Sequence, residues 1–404
     1  GADTLTAGDG NNTVTNTSGN TTVTLGNGTN DVTNTAGNMT VVTGSGVDTI
    51  TNTAGNADIT SGAGNDVITL TAGNSNVDAG AGNDTITAGS GDDTIDGGAG
   101  TDTVNISQAS GTYGGTISNV EVVGATLSAS GTIDLASIDA ATLTVSASDT
   151  VGTATIKNAA DGTTINVAED LTLAGTTGTV SAVKVDSVDS ADVNLVVKAN
   201  ANAAAKANTT FAGAVTVTDV VELAISTQGG SGVDNVLTHT FNNLVVDSTE
   251  TTKLTVTGAA YGGLNTGDIT GTDAIETLSI SAGADSAVTI GTMIEADNLA
   301  SLSYSAAGLR SAVVAGAVGG TTNGILETVS LTASGGGSID FGAITSSSDM
   351  TSITLTADGT NSALYMEGDI DAEANDVTSV IGSATDGGTV DMDGFGVTNG
   401  APTF

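Results

Sequence analysis

The chain has no cysteine, no tryptophan, one proline, one histidine and only six Lys plus Arg among 404 residues. Each scarcity excludes something. Without cysteine no disulfide framework exists, which fits an extracellular bacterial protein that never relied on one. With aromatics at 2% of the chain, large rings cannot build the core. Val, Ile, Thr and Ala must fill it, and these favour pleated, repetitive strands. The shortage of Lys and Arg removes nucleic acid as a partner, because phosphate neutralisation needs clustered cations. It argues equally against docking on anionic lipid. No apolar run reaches the length of a membrane span, and the stretch near Ala312–Gly320 is short and broken by glycine. No signal peptide stands at the amino terminus. The chain opens inside a motif, at Gly1-Ala2-Asp3-Thr4-Leu5, and reads as a fragment of a longer protein.

What is present is carboxylate, glycine and a repeat. The formal net charge is −39, and 57 residues are glycine. Such a charge would suit a disordered chain, but a mean hydropathy of +0.17 and regularly placed Val and Ile oppose that. Cut into nines from Ala7, the chain places glycine at position four of eleven consecutive nines, Gly10 through Gly100, and Val or Ile at position eight, Val14 through Val104. Positions seven to nine then form a short strand with position eight inward and its Thr-rich neighbours outward. The position-four glycine supplies the backbone freedom of a tight turn. Two nines make one flattened coil of eighteen residues, and coils stack at about 4.8 Å.

The two sides of the coil differ. On the first, Gly-x-Gly turns (Gly44 and Gly46, Gly62 and Gly64, Gly80 and Gly82, Gly98 and Gly100) precede a position-six column of Asn12, Asn30, Asp48, Asp66, Asp84 and Asp102. Stacked carboxylates repel one another unless a cation lies between them. On the second side, Asn20, Asn38, Asn56 and Asn74 fall in one column, as do Thr17, Thr35, Thr53 and Thr71. These read as hydrogen-bonded ladders; ordering water, as ice-binding solenoids do, is the functional alternative.

Segments such as Gly80-Ala81-Gly82-Asn83-Asp84-Thr85-Ile86 and Gly89-Ser90-Gly91-Asp92-Asp93-Thr94-Ile95 resemble the RTX nonapeptide of calcium-binding parallel β-rolls. The resemblance implies several calcium ions between successive turns, held by turn carbonyls and by Asp48, Asp66, Asp84 and Asp102. Asn12 and Asn30 depart from the pattern. Asp3 and Asp93 occupy the same position on the second side, with no acidic neighbour one coil away. Calcium suits such a site, since it accepts six to eight oxygens in a tolerant geometry.

The strict register stops near Asn105 and leads into Thr116-Ile117-Ser118-Asn119-Val120-Glu121-Val122-Val123. This junction is similar to surface-layer proteins of the Caulobacter type, in which RTX turns pass into a Thr/Ala-rich solenoid. A looser period follows: Glu276-Thr277-Leu278-Ser279-Ile280 recurs 51 residues later as Glu327-Thr328-Val329-Ser330-Leu331. The expected fold is all-β, a parallel β-roll over 1–105 continuing into an irregular β-solenoid over 106–404, subdivided near 270. The Ala-rich run Lys198–Lys206 reads as a short helix or a bulky loop. Further acidic groups lie outside any register: Asp186, Asp189 and Asp192; Glu367, Asp369, Asp371, Glu373 and Asp376; Asp391 and Asp393.

Enzyme chemistry is poorly supplied. His239 is the only histidine and Arg310 the only arginine, and no nucleophile elbow or zinc spacing occurs. The resemblance implies a secreted structural protein that assembles with copies of itself into a calcium-dependent lattice on the cell surface. A cell-surface polysaccharide would be met through parts outside this chain, with no nucleic acid and no membrane insertion. A segment of a large RTX adhesin or ice-binding protein is the alternative; a calcium-using β-helix acting on carbohydrate is a third.

Overall fold

The structure, a computed structural model, describes residues 1–108, 111–127, 130–147, 151–160, 162–168, 180–198, 214–227, 229, 237–241, 243–246, 249, 251–294, 296–324, 326–347, 350–366, 370–372 and 379–391. Among them every assigned strand pairing is parallel, and the only helical element is the single 3-10 turn Leu135–Ser137. The fold is all-β, a β-roll with solenoid coils beyond it. The Ala-rich run after Lys198 and the acidic residues Glu367, Asp369, Glu373, Asp376 and Asp393 lie outside the described residues. The chain divides into two compact units, Gly1–Ala159 with Thr163–Asn166, and Ala160–Gly162 with Val167–Phe404.

In the first unit the nonapeptides form the expected coils. Thr13–Asn16 pairs with Asp31–Asn34, that with Thr49–Asn52, then Val67–Leu70, Thr85–Thr87 and Thr103–Gln108. The strands of the other side stack in the same way from Ala2–Thr6 to Thr94–Asp96. Partners are eighteen residues apart throughout, as in Ile50 with Ile68 and Ile68 with Ile86. Position eight points inward: Val23, Val41, Ile50, Ile59, Ile68, Ile86, Ile95 and Val104 are essentially inaccessible. Burying each such side chain contributes about 1.5–3 kcal/mol. The register then slips. Val104 pairs with Val123, nineteen residues on, and Thr94 pairs with Thr116, twenty-two residues on. One strand, Thr116–Leu127, thus serves both sides of the roll.

A second interior column runs through position one of the first-side strands. Asn16 Nδ2 donates to Asn34 Oδ1 at 2.6 Å, Asn34 Nδ2 to Asn52 Oδ1 at 2.7 Å, and Asn52 Nδ2 to the Gly55 carbonyl at 2.7 Å. Asn34 and Asn52 are fully buried, and the next residue in the column is Leu70. This buried amide ladder was not foreseen. The expected column of Asn20, Asn38, Asn56 and Asn74 also forms, in another way: it is exposed, and each side-chain carbonyl accepts the backbone N–H of the next coil at 3.1 Å.

In the second unit each coil from Val215 onward presents three strand faces. The first stacks Leu223, Leu254, Leu278, Leu302, Val329, Ile353 and Val380. The second stacks His239, Leu264, Val288, Val313, Ile339 and Leu364, and the third Leu244, Ile269, Met293, Val318 and Ile344. His239 is therefore a buried member of an apolar column. Successive coils from Leu278 take 24, 27, 24 and 27 residues, so the 51-residue recurrence is two coils with alternating corners.

Tyr304 sits in this interior, edge-on to Phe341 with centroids 5.5 Å apart. Its hydroxyl is buried without a hydrogen-bond partner, which costs about 1–3 kcal/mol. Tyr304→Phe should therefore raise the unfolding free energy by roughly 1 kcal/mol or more in denaturant titration.

Candidate metal centre

Each first-side Asp uses one carboxylate oxygen to hold the preceding coil. The backbone N–H of Asp48 donates to Asp66 Oδ1 at 2.8 Å, that of Asp66 to Asp84 Oδ1 at 2.7 Å, and that of Asp84 to Asp102 Oδ1 at 2.8 Å. The column is thus one continuous structural file, and all four side chains are at most 1% exposed. The second oxygen, Oδ2, of Asp48, Asp66, Asp84 and Asp102 is buried with no hydrogen-bond partner.

The Asn coils of the same column show what that oxygen needs. Asn30 Oδ1 accepts from the backbone N–H of Asn12 at 3.3 Å, as each Asp Oδ1 does one coil later. Asn30 Nδ2, the counterpart of Asp Oδ2, donates to the carbonyls of Gly26 and Gly28, both at 3.2 Å. Asn12 Nδ2 does the same to Gly8 and Gly10 at 3.1 and 2.9 Å. In the Asp coils the equivalent carbonyls belong to Gly44 and Gly46, Gly62 and Gly64, Gly80 and Gly82, and Gly98 and Gly100. There the side chain offers an acceptor where Asn offers a donor. An ionised carboxylate can only accept, so this set of oxygens faces itself with acceptors alone, and a bound cation or a proton on the carboxyl resolves the conflict. The turn also demands glycine: Gly64 and Gly82 have φ of 144° and 141°, and a Cβ on either would strike the glycine carbonyl one coil below.

Burial pushes the carboxyls of Asp66 and Asp102 above the usual carboxylate range and that of Asp84 up to about 6, with the neighbouring acids of the column adding to the shift. Among the described residues no three His, Asp or Glu side chains cluster within reach of one metal ion. Ligation in the file must therefore rest largely on backbone carbonyls, the hard neutral oxygens that calcium accepts.

The remaining expected ligands separate. Asp93 is fully buried on the second side, with Oδ1 accepting from Ser75 N at 2.8 Å and Oδ2 unpartnered. Asp3 lies exposed on the strand Ala2–Thr6, opposite Thr21, and joins no file. Glu121 is a member that the nonapeptide spacing did not reveal. Its Oε2 accepts from the backbone N–H of Asp102 at 2.6 Å, continuing the column one coil past the last repeat. The signal was there, in an acid nineteen residues after Asp102, but it fell outside the eighteen-residue register. Asp186, Asp189 and Asp192 lie on the strand Val180–Lys198, Asp371 on Ile370–Ala372 and Asp391 on Thr389–Asp391.

The family described as RTX calcium-binding nonapeptide repeat (4 copies) matches residues 1–23, 42–77 and 70–104. The match covers the Asp coils and lies wholly within the roll. The chain matches no curated protein and no solved structure. Calcium is the cofactor of the roll, several ions of it, and the file of unpartnered Asp Oδ2 atoms fits that ion. When bound, it supplies the positive charge that Asp Oδ2 and the glycine carbonyls lack. The protein's own part is to stack the carboxylates and fix the turns.

Two outcomes follow. Asp48→Asn should let that coil close on itself as Asn30 does, raising the melting temperature in chelator while lowering the calcium bound at saturation. Asp84 titrates near 6 in the metal-free folded chain against 3.8 unfolded, so the folded state holds its proton more tightly. The stability that this group contributes is present below pH 4 and lost as pH rises to 6. Metal-free protein should therefore melt higher at pH 4 than at pH 7. With calcium the order reverses, because protons compete for the ligand; melts at both pH values with and without chelator check this.

Proposed function

We propose that this protein is a structural component of a bacterial surface layer, which assembles with copies of itself into a calcium-dependent two-dimensional lattice outside the cell. The observation that carries the reading is the file of buried carboxylates whose second oxygen, Oδ2, has no hydrogen-bond partner, which couples folding of these coils to a divalent cation. Extracellular calcium modules bind at roughly 10⁻⁴ to 10⁻³ M, far above cytosolic supply. The chain would stay unfolded for export and fold outside, since calcium stabilises only the state that holds the site. Occurrence of such repeats in secreted proteins agrees with this.

Self-assembly needs a surface on which two strongly anionic chains can meet. The first face of the second unit offers one. Its outward columns are Thr255, Ser279, Ser303, Ser330 and Thr354, and Thr257, Ser281, Ser305, Thr332 and Thr356. These residues are half-buried and uncharged, and neighbouring hydroxyls bond along the column, as Ser281 does to Thr257 at 3.2 Å. Like-charge repulsion, which opposes association elsewhere on a chain of net charge −39, is absent within these columns.

A segment of a large adhesin or ice-binding protein is the second reading. Thr15, Thr33, Thr51, Thr69 and Thr87 favour it, stacked on the outside of the roll at the strand spacing. Electron microscopy of calcium-loaded protein separates the two. Ordered sheets that disperse in chelator are expected; single molecules at every calcium concentration would favour the second reading. Circular dichroism with chelator should show part of the strand signal lost and a lower melting temperature, and an unchanged spectrum and melting temperature would overturn the calcium coupling.

A further inference from the structure

The second side of the roll holds its own unresolved charge, at one place only. After the exposed Asp3, its position-six column reads Thr21, Met39, Ala57 and Ser75, none of which needs a cation, before it reaches Asp93. The strand pairing Thr94 with Thr116 puts Gly115 above Asp93 in the next coil. Gly115 has no side chain, and the ring of Tyr113 takes that space. A Cβ on Gly115 would lie 2.5 Å from the Tyr113 hydroxyl and 2.5 Å from the Asp93 carbonyl. Gly114 makes similar room for Asp92, whose Oδ1 a Cβ there would strike.

Two buried side-chain oxygens of this seam have no hydrogen-bond partner: Asp93 Oδ2 and the Tyr113 hydroxyl. Asp93 is fully buried and Tyr113 is 4% exposed. They do not satisfy each other, although a phenol can donate to a carboxylate. Burial, with Asp93 and Asp92 adding to it, pushes the phenol well above its ordinary range, so it stays a neutral hydroxyl with lone pairs to offer.

We infer that the second side carries one hard-cation site, of calcium type, at the exit of the roll, in which Asp93 supplies the charge and the Tyr113 hydroxyl, from the coil beyond the last nonapeptide, completes the oxygen set. This rests on the calcium reading of the roll but adds a ligand that lies outside the matched repeats. A cation there satisfies both orphaned oxygens and ties the last repeat to the first coil of different length. The first-side file does not include it.

Terbium tests this directly, because it replaces calcium on oxygen ligands and is sensitised by an adjacent aromatic ring. The chain has no tryptophan and four tyrosines, so emission on excitation of tyrosine reports a tyrosine beside the ion. The full chain should emit when loaded with terbium. Tyr113→Phe and Asp93→Asn should each lower the emission several-fold, and Asp66→Asn, in the first-side file, should not. Calcium bound at saturation should fall by one ion at most in Tyr113→Phe, with the strand signal of the loaded chain retained. Emission that survives Tyr113→Phe, or follows Asp66 instead of Asp93, would overturn the site. So would a Tyr113→Phe melting temperature raised equally with and without calcium, which marks a merely unsatisfied hydroxyl. Failure of the wild-type chain to bind any calcium would instead overturn the reading of the roll as a whole.

Discussion

The roll depends on the arrangement of one oxygen. Asp Oδ1 is used to hold the coil before it, through a backbone N–H. Asp Oδ2 then lies buried with no donor. A parallel coil of small residues has little else to fall back on. Beyond the first coil each strand of the repeats buries one Val or Ile at position eight, helped by scattered Leu and Ala, and no aromatic residue fills the space between the sheets of the repeats. Hydrophobic burial of this size is offset by the conformational entropy of ordering the chain. Satisfaction of the turn oxygens therefore decides whether the stack forms. A buried acceptor surplus is costly when left alone and strongly stabilising once a cation lies within it.

Two chemistries close the same column, and they change over along the roll. At its start, Asn12 and Asn30 donate into the glycine carbonyls, while Asn16, Asn34 and Asn52 form a buried amide ladder beside them. Both networks are self-contained: every amide hydrogen bond stays within the protein. From Asp48 onward the turn column turns acidic, and after Asn52 the inner column turns apolar at Leu70. The first coils are thus held by amides and the later ones by charge that needs a counter-ion. Coils of the first kind can order without calcium and present a finished edge on which the second kind can stack.

How much of this could be read in the sequence follows from which contacts keep the period. The nonapeptide register exposed the inward Val and Ile column and the Asp file, because every partner is eighteen residues away. It did not expose Asn16, Asn34 and Asn52. Read along one strand these look like polar residues at a turn, and only the stacked coil shows them facing inward. Glu121 and Tyr113 were hidden by the slip in coil length beyond Asn105, which moves their partners to separations that no longer match eighteen. In the second unit the recurrence of Glu276–Ile280 at Glu327–Leu331 was visible and its meaning was not. Strand residues repeat every coil, but the corners alternate in length, so identity is strongest two coils apart.

The linkage between neighbouring turns has a consequence for how calcium acts. In a stacked array, each unit is stabilised chiefly by the one beside it. Here that coupling has an identified atom pair at every step: the N–H of one Asp is held by the carboxylate of the next, through to Glu121. Ordering one turn around an ion places the backbone donor that fixes the following carboxylate, and so lowers the cost of ordering the next site. Binding along the file is then cooperative even where single sites are weak. A modest change in calcium then orders or releases the acidic coils from Asp48 to Glu121 together, while the amide-held coils before them keep their own hydrogen bonds.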